Sequence, residues 1–137
     1  MQNQYGMDRE LWLKQQSSVK EEDVVKARRW IEKSLGIPAS SEPFNDWLHS
    51  GEILCDFINK LVPNKIPKIN RKKMPFFQME NITSYCNACR ELGVKDHDLF
   101  RTDDLYESKN IGQVLQSLSA LNRVAKNIPG FQGPFLE

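Results

Sequence analysis

Three groups of residues in this chain have the types and spacing to do chemistry. Cys86 and Cys89 form a C-x-x-C pair, which in other settings holds zinc or cycles between thiol and disulfide. A structural zinc site needs a second ligand pair, and a redox pair needs a thiol at a helix N-terminus. Here there is no second C-x-x-C, and both cysteines fall on the apolar stripe of one helical segment, as does Cys55 on another. The spacing predicts core packing and no bound metal. Asp96, Asp98, Asp103 and Asp104 crowd a short connection, but Phe100 and Arg101 stand where a calcium loop needs oxygen ligands. Turn and cap chemistry is the expectation there. His49 and His97, the two histidines, have no nucleophile motif beside them, and no phosphate- or dinucleotide-binding glycine pattern occurs. These absences predict no catalytic residues, no cofactor and no enzymatic activity.

The third group is cationic. Between positions 60 and 73 lie Lys60, Lys65, Lys68, Arg71, Lys72 and Lys73 and no acid, with Pro63 and Pro67 keeping the segment out of regular helix. The chain's net charge is only +1, so the basic character is local. Residues 74–107 carry seven acids against three bases, and residues 1–59 ten against seven. A dipolar chain of this kind argues against non-specific nucleic-acid binding and for one anionic partner at one face. Prolines reduce the entropy lost when such a loop is ordered against a partner.

The elements that position these groups read as helices. Ile53, Leu54, Phe57, Ile58 and Leu61 stack on one wide face of a central helix buried nearly all round. Ser50 is its expected N-cap, and Gly51 allows a tight entry. Upstream, Val24, Ala27, Ile31 and Leu35 recur at helical spacing beside Trp30, with Glu22 and Asp23 at the start and Gly36 with Pro38 as the stop. Residues 37–43 read as a turn, and Phe44, Trp47 and Leu48 as a short helix. Downstream, a helix over 76–92 is expected to bury Met79, Ile82, Cys86 and Cys89, with Gly93 as its C-terminal cap. Helical turns around Leu99–Phe100 and Asp103–Tyr106 precede a last helix over 111–126, whose apolar face is Ile111, Val114, Leu115, Leu118, Leu121 and Ala125. A non-helical tail would pack through Phe131, Phe135 and Leu136. A short helix over 9–16, or an arm, packing Trp12 is expected at the N-terminus.

No period-two alternation signals a strand, so the prediction is an all-α fold of four main helices with short connecting helical turns. With 137 residues there is room for one domain with a proper core. Three cysteines, an odd number, favour a reducing compartment over a disulfide framework. No apolar run is long enough to span a membrane, and residues 1–10 lack a signal-peptide layout, so a cytoplasmic location is expected.

Five segments in order carry a family resemblance. Tyr5-Gly6-Met7-x-Arg9-Glu10 resembles the leader of transgelins, and Trp30 stands where the first helix of these domains carries its tryptophan. Ser50-Gly51-x-Ile53-Leu54-Cys55 with Ile58-Asn59 resembles a "DGxxLCxLIN" segment, with Ser in place of the family's Asp. Lys73 to Ile82 resembles the "PFxQMExI" start of a helix, and Leu99 to Glu107 the "LFQTxDLFE" signature. The chain thus resembles a calponin homology domain of the single-domain calponin and transgelin type. The resemblance implies a compact helical bundle over 21–127, an arm over 1–20 and a packing tail over 128–137. It implies a monomer that binds filamentous actin on the actin cytoskeleton, stabilising or cross-linking filaments. Contact in related domains is ascribed to the first helix and to the end of the central helix with its following loop. Carried over, the actin-binding residues would be Lys60, Lys65, Lys68, Arg71, Lys72 and Lys73, with Arg28, Arg29 and Lys33 on the first helix. Similar domains instead dock signalling proteins, as in Rho exchange factors and Ras-GAP-like scaffolds, and a basic loop could also meet phosphoinositide heads. The short actin-binding repeat that calponins and transgelins carry after this domain has no counterpart up to Glu137.

Overall fold

The computed structural model describes residues 19–137, which form six α-helices and no strand. The expected helix over 9–16 lies outside the described residues. The helices are α1 (Glu21–Leu35), α2 (Phe44–Leu48), α3 (Glu52–Leu61), α4 (Pro75–Leu92), α5 (Thr102–Tyr106) and α6 (Ile111–Ala125). The four longer ones correspond to the four main helices expected, within about two residues at each end.

Helix α3 is the centre of the bundle. Leu54, Cys55, Phe57, Ile58 and Leu61 are buried, but Glu52, Asp56 and Lys60, four apart, leave one polar stripe partly open to solvent, so the helix is one-sided rather than covered nearly all round as expected. Helices α1, α2 and α4 pack around it. Trp30 of α1 meets Phe57 edge-to-face at 4.7 Å between ring centroids. Burying side chains of this size stabilises the fold by about 2 kcal/mol each. On the far side α6 packs against α1 and α5, and buries Val114, Leu118 and Leu121 completely. Its N-cap is Asn110, whose Oδ1 accepts from the Gln113 N–H at 3.2 Å.

The entry to α3 differs from expectation by one position. Gly51 is the N-cap, at φ +75°, and the Ser50 hydroxyl accepts instead from the Glu52 N–H at 3.2 Å. Glycine is required there twice over. The backbone is left-handed, and a Cβ at position 51 would sit 2.7 Å from Asn81 Cβ and 2.9 Å from the Ile82 backbone nitrogen. The close crossing of α3 over α4 therefore depends on it.

Two further expectations are corrected. Met79 does not join the buried stripe of α4; it is exposed, and the core begins at Ile82. The first turn of α4 projects past the packed body, and there Gln78 faces inward, its Oε1 accepting from the Tyr106 hydroxyl at 3.1 Å. Leu99 and Phe100 are buried but not helical. The helical turn is the 3-10 segment Asp96–Asp98, closed by the Leu99 N–H on the Asp96 carbonyl, after which the chain runs extended and drives both side chains into the core.

The tail runs back along the body. Phe131, Phe135 and Leu136 are half-buried against the core. Trp30 Nε1 donates to the Pro134 carbonyl at 2.8 Å, and the Leu136 N–H to Asn122 Oδ1 at 3.0 Å.

Candidate functional site

The reactive-looking groups resolve into structure. Cys55 and Cys89 are wholly buried and Cys86 nearly so. The Cys55 thiol donates to the Asn81 carbonyl at 3.2 Å and the Cys86 thiol to the Phe100 carbonyl at 3.5 Å. Burial pushes Cys86 up to about 11 and Cys55 up to about 12, and Cys89 is raised further for the same reason. All three are neutral packing groups at physiological pH. The four aspartates are each engaged. Asp96 pairs with Arg90 at 2.7 Å, Asp98 accepts from Gln116 at 2.9 Å, Asp103 pairs with Lys109 at 3.3 Å, and Asp104 accepts from the Arg101 N–H at 2.8 Å. The Lys109 hydrogen bond holds Asp103 below the usual carboxylate range. His49 stacks on Tyr106 with ring centroids 4.1 Å apart.

The basic segment is a surface loop held from beneath by two amides. Asn59, on the last turn of α3, donates from Nδ2 to the Ile66 carbonyl at 2.9 Å and accepts the Ile66 N–H on Oδ1 at 2.7 Å. Asn81 of α4 does the same to Asn70, with 2.9 Å to the N–H and 2.8 Å to the carbonyl, and adds a bond from Nδ2 to the Ser50 carbonyl at 3.0 Å. Each side chain thus acts as a strand-like partner for one loop residue. Ile66, the residue that Asn59 grips, also buries its side chain in the body. A loop gripped at positions 66 and 70 has little conformational freedom left, which is a stronger restraint than the prolines alone.

The six cations of this segment divide into two classes. Arg71 is exposed but lies back along α3: its Nη1 and Nη2 meet the Asp56 carboxylate at 3.1 and 2.9 Å, and Nη1 meets Glu52 at 3.2 Å. The Asp56 hydrogen bonds, with Glu52 adding to them, hold its pKa above the ordinary arginine value. Lys65 pairs with Glu91 of α4 at 2.6 Å and is mostly covered. Lys60, Lys68, Lys72 and Lys73 are exposed, and no carboxylate among the described residues lies within ion-pair range of them. Lys72 stands 5.4 Å from the Phe77 ring centroid, a cation–π contact that orients it.

The three cations of α1 keep other company. Arg28 lies over the Trp47 ring at 4.8 Å and the Phe44 ring at 5.8 Å, and donates to the Glu42 carbonyl, so it ties α1 to α2. Lys33 pairs with Glu137 of the tail at 3.5 Å. Arg29 is exposed. None of the three makes an ion pair or hydrogen bond to the loop.

Sequence reasoning missed the clamps. Asn59 and Asn81 were visible as polar residues set among apolar ones at helical spacing, and a buried amide must find backbone partners. Which backbone it would find depended on the loop's path. It also missed that Met74, Phe76 and Met79, at the end of the loop, are exposed.

Comparison with known proteins agrees with this architecture. The family model of the calponin homology (CH) domain matches residues 21–127. Muscle-specific protein 20 of Drosophila melanogaster is 42% identical over 112 residues, covering 80% of this chain and 60% of that protein. Calponin-2 of Bos taurus is 38% identical over 122 residues, covering 89% of this chain and 39% of that protein. The chain therefore spans less than two thirds of the length of these relatives. Among solved structures, the calponin-homology domain of an IQGAP protein from Schizosaccharomyces pombe superposes with a TM-score of 0.71 at 26% identity, over 84% of this chain and 72% of that one. With the family model covering every helix from α1 to α6, this chain belongs to the calponin homology domain family.

Proposed function

We propose that this protein binds actin filaments through the loop that follows α3, and that its place is the actin cytoskeleton of the cytoplasm. The observation that carries the reading is a set of four exposed lysines without an ion-pair partner among the described residues: Lys60 on the last turn of α3, and Lys68, Lys72 and Lys73 on the clamped loop that follows it. A surface of fixed shape and single sign suits a large acidic partner. Such a surface steers encounter with the acidic filament and loses little entropy on docking. The likeness to calponin-2 supports the same assignment. In this reading Lys65 and Arg71 shape the loop from within, since their charge is already matched by Glu91, Asp56 and Glu52. Of Arg28, Arg29 and Lys33, Arg29 is the one that neither the α2 aromatics nor the tail engages, so it is the α1 candidate to add to the contact.

Co-sedimentation with filamentous actin tests this. Native chain pellets at low salt and less at physiological salt, because exposed charge contacts are screened over about 8 Å there. The Lys60→Glu/Lys68→Glu/Lys72→Glu/Lys73→Glu variant stays in the supernatant, while Lys65→Met pellets nearly as native does. A reversal variant that pellets like native would remove the loop from the contact.

A further inference from the structure

The loop ends on an apolar surface that the cationic reading leaves unused. Five large hydrophobic side chains are exposed among the described residues, and three of them fall within six positions: Met74 at 54%, Phe76 at 66% and Met79 at 37%. They are contiguous by position. Met74 is the N-cap of α4, and Phe76 and Met79 are three apart on its outer face. Lone exposed apolar residues are ordinary, but a cluster beside a binding surface marks an interface. Phe76 is also held: its ring meets Phe77 edge-on at 5.5 Å, and Phe77 carries the Lys72 ammonium on its other contact at 5.4 Å. The cation and the exposed aromatic are therefore set by one shared ring.

From this we infer that Met74, Phe76 and Met79 form the apolar centre of the partner contact, with Lys72 and Lys73 as its cationic rim. The inference rests on the proposed function, and the occupant is the actin filament. The ordering follows from charge: two lysines immediately precede the patch, and the nearest acid, Glu80, is turned back onto Asn70 Nδ2 at 2.8 Å. An apolar centre with a positive border fits an acidic protein surface with an apolar depression, the ordinary anatomy of a protein interface. Aromatic side chains at such a centre hold most of the affinity, and the surrounding charges mainly set rate and salt dependence.

The two contributions separate in a salt series of filament co-sedimentation. Phe76→Ser weakens binding about tenfold at every salt concentration and leaves the slope of log affinity against log salt unchanged. Lys72→Gln/Lys73→Gln flattens that slope instead. Phe76 is exposed, so the serine variant keeps its fold, and matched circular dichroism with an unchanged urea midpoint verifies it. If Phe76→Ser binds as native does while native binding stays salt-sensitive, the apolar centre is wrong and the cationic site stands. If native chain fails to pellet at low salt, both fall. Two other occupants are scored alongside. Loss of binding to phosphatidylserine vesicles on Phe76→Ser, with filament binding intact, assigns the patch to membranes and overturns the inference. A dimer in sedimentation equilibrium that Phe76→Ser dissolves assigns it to a second copy and does the same.

Discussion

Replacing Asn81 with alanine should uncouple the loop from the body and weaken the whole fold. The side chain is 1% exposed and makes three hydrogen bonds, two to Asn70 and one to Ser50. At about 1 kcal/mol net for each, the loss is about 3 kcal/mol, and the orphaned Asn70 N–H adds to it unless water enters. Asn81→Asp is the sharper control, since it keeps the shape and the acceptor for Asn70 N–H. It turns both donations into a carboxylate facing two carbonyl oxygens, so it should destabilise at least as much. Urea unfolding followed by far-ultraviolet circular dichroism gives the stability change. Hydrogen exchange at the Asn70 amide reports the clamp itself, and should rise beyond the change expected from global stability. Filament co-sedimentation should fall as well, although no cation has been touched. A stability loss below about 1 kcal/mol, or an Asn70 amide still protected, would refute the view that Asn81 holds the loop.

Two other perturbations test the same body. Gly51→Ala combines a left-handed backbone with Cβ contacts of 2.7 and 2.9 Å to Asn81 and Ile82, and should cost about 3 kcal/mol by urea titration; a loss under about 1 kcal/mol would mean that α3 and α4 can part freely. The buried thiols predict alkaline weakening: Cys55 and Cys86 are raised to about 12 and about 11, so the unfolded chain loses these protons first. Their contribution is complete below about pH 8.5 and is lost as pH climbs through the folded values, at about 1.4 kcal/mol per pH unit for each thiol. The difference in urea midpoint between native and Cys55→Ala should therefore shrink from pH 8.5 to 11, and a constant difference would count against a buried neutral thiol.

How much could be read beforehand depended on the range of the interactions. Helices α1, α3, α4 and α6 were legible because apolar spacing is local and strong, and Gly36 and Gly93 stop their helices as expected. Met79 misled because spacing gives a face but not where the packed body ends, and the apolar core of α4 begins only at Ile82. Leu99 and Phe100 misled because two adjacent buried apolar residues look alike in a turn and in an extended run. The candidate site was legible as a basic segment but not as a sorted one. Arg71 finds Glu52 and Asp56 nineteen and fifteen positions upstream, and Lys65 finds Glu91 twenty-six positions downstream. Such pairings follow from the packing of α3 and α4. Arg28 is similar: its aromatic cradle on Trp47 and Phe44 exists only once α2 docks.

The same packing explains why the surface is suited to binding. Helices α3 and α4 cross at Gly51, the crossing brings Asn81 beneath the loop, and Asn81 fixes the backbone just before Arg71, Lys72 and Lys73. Arg71 folds back onto Asp56, leaving Lys72 and Lys73 facing outward. Surface ion pairs like Lys65–Glu91 add little stability by themselves, so their main effect here is on which charges remain available.

Lysine-acetylation footprinting on filaments tests the central claim most directly. The reactivity of each lysine is compared with and without filamentous actin at low salt, using Lys95 and Lys126, exposed elsewhere on the molecule, as internal references. The account predicts protection at Lys68, Lys72 and Lys73 and unchanged reactivity at Lys95 and Lys126. Equal reactivity at all five, or protection centred on Lys95 and Lys126, would contradict it.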